Sequence, residues 1–144
     1  MPTDIQGFEY DWLACDAEGH VGFFSTAGAG YAPPELIEDT GAYDAAIEAI
    51  FAMPPSTRAR FAPVVGAGCI NTWQLMAERG VFAYDSDPTG GPYRLVSQPE
   101  HPISIDSLPI AVAAVVRRVV LGTLRFAELR EVSGDGLARR DQVS

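Results

Sequence analysis

The chain predicts an α+β domain: an antiparallel sheet of about four to six strands with helices packed on one side. Three observations carry that expectation. Residues 10–16 and 20–26 are strand-like segments joined by a turn, residues 43–52 repeat apolar side chains at helical spacing, and 144 residues with 47% apolar and 20% charged side chains suit one folded globule. The predicted domain spans 1–132, and 133–144 reads as a polar, flexible C-terminal tail.

The first hairpin follows from its turn. Ala17-Glu18-Gly19 joins the two segments, and Gly19 takes a positive φ without steric cost. Alternation sends Trp12, Ala14 and Phe24 inward, with Asp11 and Glu18 outside. Gly22 weakens the second strand and leaves room for close approach by another group. Residues 27–34 are a loop by composition. Pro34 opens a short helical turn over 35–38. In the next helix Tyr43, Ala46, Ile47, Ile50 and Phe51 form one face, Thr40 is the expected cap, and Pro54-Pro55 ends it.

Residues 56–61 read as another short helical turn, and 64–70 fit a buried strand or a loop. Asn71 caps a helix over 72–79, and Gly80 ends it. Residues 81–85 and 93–97 are strands around an exposed tip at 86–92. Ser107 caps a helix over 108–118, with Arg117 and Arg118 at its negative end. Residues 119–126 read as a last strand interrupted by Gly122.

Charge is distributed unevenly. The first 57 residues hold ten carboxylates and no Arg or Lys, giving −10; the remainder holds ten Arg and nine acids, giving +1, hence −9 overall. A pI near 4.5 disfavours nucleic acid as a partner. The front acids have no local counter-charge, so they are met by the arginines of the remainder, by a second molecule, or by water. The segment 1–4 has neither the basic region nor the apolar core of a secretory signal. The longest apolar run, 108–116, contains Pro109 and falls short of the ~20 residues a membrane helix needs. No membrane span is expected, and the cytoplasm is the expected location.

Motifs for chemistry are sparse. Gly28-Ala29-Gly30 and Gly66-Ala67-Gly68 lack the third glycine of a dinucleotide loop, and a chain without Lys has no Walker loop. Asp85-Ser86-Asp87 resembles the start of a calcium loop but has no Glu at the twelfth position. Asp11, Asp16, Glu18 and His20 share the first hairpin, yet Asp11 and Asp16 differ in strand parity, so no metal site is expected. Cys15 and Cys69 fit no metal spacing and are expected to be buried thiols. Neither they nor Ser25, with His20 or His101, sit in a nucleophile elbow, so no catalytic residue and no cofactor is assigned.

Residues 10–34 resemble the opening of a group of small bacterial proteins of no settled function. The residues carrying the resemblance are Asp11, Trp12, Asp16, Gly19, Phe24, Gly28, Gly30 and Pro33; Ser107-Leu108-Pro109 and Leu124-Arg125-Phe126 are also similar. Such proteins resemble, in size and acidity, immunity proteins of bacterial contact-toxin systems. The resemblance implies a non-enzymatic protein-binding module and brings no catalytic residues with it; the acidic front would steer such a module to a basic protein partner. Asp11, Glu18, Glu35, Glu38, Asp39 and Asp44 are the candidate contacts. A second reading is a small-ligand binder or enzyme with a pocket near Trp12, Gly28, Gly30, Tyr31 and Tyr84. A third is a self-associating structural module.

Overall fold

Strand β1 (Asp11–Asp16) turns through Gly19 (φ +76°) into antiparallel β2 (Val21–Ser25), as the turn residues predict; Trp12, Ala14 and Phe24 are buried as expected, but so are Leu13, Cys15 and Phe23 on the opposite face. The computed structural model describes residues 10–26, 31–61, 71–86 and 92–132. The 27–30 loop, the 64–70 segment, Cys69, most of the 86–92 tip and the 133–144 tail lie outside the described residues.

Helix α1 (Pro34–Glu38) starts at a proline as expected, and α2 (Thr40–Phe51) buries Tyr43, Ala46, Ile47 and Ile50. The cap of α2 is Asp39 rather than Thr40: its carboxylate accepts the Ala42 amide at 3.1 Å. Residues 59–61 form strand β3 (Ala59–Phe61) instead of a helical turn, because antiparallel pairing with a later strand supplies hydrogen bonds that no local pattern reveals. Helix α3 (Asn71–Glu78) ends at Gly80 (φ +86°).

Strands β4 (Phe82–Asp85) and β5 (Tyr93–Pro99) pair antiparallel. Helix α4 (Ile110–Val116) is shorter than expected, preceded by a separate 3₁₀ turn at Ile105–Ser107 whose cap is Ser104. The expected last strand reduces to β6 (Val120–Leu121) and a 3₁₀ turn at Phe126–Glu128, and β7 (Glu131–Val132) follows.

These strands build one mixed seven-stranded sheet among the described residues, in the order β3-β5-β4-β2-β1-β6 with β7 also on β5. The α+β class holds, but the sheet is not purely antiparallel: β2 runs parallel to β4, and β1 parallel to β6. Hairpins announce antiparallel neighbours through their turns, whereas parallel neighbours need a long crossover and leave no local mark. Helices α2 and α4 pack on β1, and α3 packs on β4 and β5. Among the described residues no helix is long and apolar enough to cross a membrane.

Register explains the core. Trp12, Phe24 and Tyr84 are mutual partners on β1, β2 and β4, so their rings stack along one rung at 4.2 and 5.1 Å. Those spacings match the ~4.8 Å between strands. Phe126 closes over the rung, 5.9 Å from Phe24 and 5.7 Å from Tyr84. Gly22 makes this possible: a Cβ there would lie 2.8 Å from the Phe126 ring and 2.9 Å from the Phe24 ring. The close approach anticipated at Gly22 is therefore by the chain's own Phe126.

Candidate functional site

Three segments meet at the β1–β2 turn. Asp16 is the last residue of β1, and its side chain is wholly buried. Its Oδ1 accepts the backbone amides of Glu18 and His20, both at 2.9 Å, and its Oδ2 accepts the Phe126 amide at 2.8 Å. A buried carboxylate is tolerated when polar hydrogens surround it, and here three backbone N–H groups do so. The turn is held on one side by Ile105, whose amide donates to the Gly19 carbonyl at 2.8 Å. On the other side the Ala17 amide donates to the Leu124 carbonyl at 2.9 Å. A cleft of about 400 Å³ opens beside it, lined by Ala17 and residues of the 122–129 segment. Arg125 and Glu128, both lining residues, pair at 3.6 Å.

His20 completes the turn. Its ring stacks on Phe82 with centroids 5.8 Å apart, and its buried Nδ1 has no hydrogen-bond partner among the described residues. Asp16 Oδ2 stands 3.9 Å from that nitrogen, beyond hydrogen-bond reach. Ligand atoms of Asp16, Glu18 and His20 all fall within 4.8 Å of one another. The parity argument against a metal here concerned Asp11, which lies at the far end of β1. Glu18 and His20 follow the strand, where alternation no longer separates them from Asp16.

The predicted contact residues divide between two places. Asp11 is half-buried at the start of β1 and accepts the Ser25 hydroxyl at 2.8 Å, while Glu18 is exposed on the turn at the other end. Glu35, Glu38, Asp39 and Asp44 are brought together on α1, its junction with α2, and α2 itself. Asp39 pairs with Arg118 at 3.1 Å. Glu38 and Asp44 are exposed and make no ion pair among the described residues, and Glu48 behaves alike. Glu48 was missed, although it follows Asp44 by four residues on the same helix face.

Of the residues offered for a ligand pocket, Gly28 and Gly30 lie outside the described residues. Trp12 and Tyr84 are fully buried core side chains with their polar atoms engaged. Trp12 Nε1 donates to the Tyr93 hydroxyl at 3.1 Å, which in turn donates to the Tyr31 carbonyl at 2.5 Å. The Tyr84 hydroxyl donates to the Leu129 carbonyl at 2.9 Å. Tyr31 is half-buried, edge-on to Trp12 at 6.5 Å. Cys15 is a buried free thiol, as expected; burial, then the nearby Asp16 charge, pushes its pKa up, so it stays protonated at neutral pH.

The chain matches no known family model, no curated protein and no solved structure. Its own residues carry the functional reading.

Proposed function

We propose that the chain is a non-enzymatic protein-binding module that offers the outer face of α1 and α2 to a basic partner, in the manner of an immunity-type inhibitor. The observation that supports this is the exposed acidic set Glu38, Asp44 and Glu48, which has no ion-pair partner among the described residues. Asp44 and Glu48 stand four apart on α2, where like charges cost a helix about 0.2–0.5 kcal/mol. Glu48 also lies in the last turn of α2, which has no basic residue, so it opposes the helix dipole. An arrangement that weakens its own helix is accounted for when an outside cation meets it. Such a field raises association rate more than it deepens affinity.

The test is capture of a basic protein encoded beside this chain, with association rates measured at low and high salt. The reading expects association to slow with salt, and to slow about tenfold or more in the Glu38→Lys/Asp44→Lys variant. Capture indifferent to both salt and charge reversal refutes it.

A further inference from the structure

The geometry points to a divalent transition-metal site of the Zn²⁺ class at the β1–β2 turn, formed by Asp16, Glu18 and His20. Two independent features converge there. The first is the unmatched imidazole nitrogen. With the proton on Nε2, the Nδ1 lone pair is buried without a donor; with the proton on Nδ1, that N–H is buried without an acceptor, since Asp16 Oδ2 is 3.9 Å away. Among the described residues either tautomer leaves an orphan, and buried orphans are costly.

The second feature is the remaining capacity of the carboxylate. Asp16 Oδ1 already accepts two amides, from Glu18 and His20, which fills its two lone pairs. Oδ2 accepts one, from Phe126, and keeps one lone pair. The oxygen with spare capacity is the oxygen nearest the orphaned nitrogen. A cation between them satisfies both at once.

Distances suit a small ion. Tetrahedral zinc with bonds of about 2.0–2.2 Å holds ligand atoms roughly 3.4 Å apart. The 3.9 Å gap between Nδ1 and Oδ2 needs a closure of about half an ångström. Glu18 is exposed on the turn, and one of its carboxylate oxygens lies within 4.8 Å of an imidazole nitrogen of His20 and a carboxylate oxygen of Asp16. Water supplies the fourth ligand. One imidazole with two carboxylates favours zinc, cobalt or nickel over calcium and magnesium, which prefer all-oxygen shells. The Phe126 amide on Asp16 and the Phe82 ring on His20 fix the two inner ligands in place.

Calorimetric titration of the chelator-treated full chain with Zn²⁺ alone tests the site, and Co²⁺ alone adds a visible-absorption readout of tetrahedral geometry. The expected result is one ion per chain at low micromolar affinity, with Mg²⁺ and Ca²⁺ inert. His20→Phe keeps a ring against Phe82 and should weaken binding at least about tenfold. Glu18→Gln alters an exposed side chain that folding does not need, and should weaken binding severalfold. His101→Ala, at the exposed histidine beside Glu100, should leave the isotherm unchanged. Absence of binding at millimolar Zn²⁺ overturns the site. So does affinity unaffected by both His20→Phe and Glu18→Gln, or lost only in His101→Ala.

Discussion

Replacing Asp16 by Asn probes the joint on which the turn depends. The side chain keeps its shape, and its amide oxygen can still accept the Glu18 and His20 amides, now without a negative charge. The amide NH₂ then faces the Phe126 N–H, donor against donor. A buried N–H stripped of its acceptor costs about 1–3 kcal/mol, and bonds to a charged acceptor exceed neutral ones by roughly 1 kcal/mol each. Release from burying a charge offsets part of this, leaving a net loss of about 2–4 kcal/mol. Unfolding entropy of about 2.1 cal/mol/K per residue gives roughly 0.3 kcal/mol/K for 144 residues, hence a fall in Tm of about 7–13 °C. Urea unfolding followed by circular dichroism measures the loss, and amide exchange at Phe126 locates it. A variant within about 0.5 kcal/mol of the parent, with Phe126 still protected, refutes the claim that this carboxylate ties the turn to the C-terminal segment.

Gly22→Ala places a Cβ against the Phe126 and Phe24 rings; overpacking of about 1–3 kcal/mol outweighs the ~0.5–1 kcal/mol gained by removing a strand glycine. In a Phe126→Leu background that penalty should fall by at least about half, and equal penalties in both backgrounds would show that the contact is not the cause. Burial raises the phenol pKa of Tyr84 and Tyr93 well above the ordinary 10.0, with nearby Asp16 adding to Tyr84. A raised folded pKa means that their stabilisation is complete below about pH 10 and is lost as pH climbs toward the folded values. Alkaline titration should therefore show their tyrosinate absorbance appearing together with loss of the circular dichroism signal; full ionisation of a still-folded chain would contradict it.

The sequence made local structure legible where one segment suffices. The first hairpin, the buried face of α2 and the glycine end of α3 all follow from turn chemistry or periodicity within a dozen residues. Partnerships across the chain were hidden. Strand β3 is three residues long and exists because β5 lies beside it, and the β1–β6 and β2–β4 pairings join segments separated by whole helices. Asp16 was legible in part: a short carboxylate just before a glycine turn bonds amides two and four residues on. Its third partner, Phe126, is 110 residues away and has no local signature. Parity separated Asp11 from Asp16 and said nothing of His20, because the chain leaves the strand before reaching it.

The acidic front half therefore does more than one thing. Asp16 anchors a turn, Asp39 caps α2 and meets Arg118, and Asp11 accepts the Ser25 hydroxyl; each of these carboxylates serves hydrogen bonds of the fold itself. Their removal would damage the structure before it touched any partner. Glu38, Asp44 and Glu48 are different: no backbone amide or arginine among the described residues answers them, and α2 would be more stable without the last two. A count of carboxylates along the chain overstates the surface available to a partner; among the described residues the helix pair carries exposed carboxylates that no arginine meets. Charge reversal there, rather than across the whole acidic segment, separates recognition from folding.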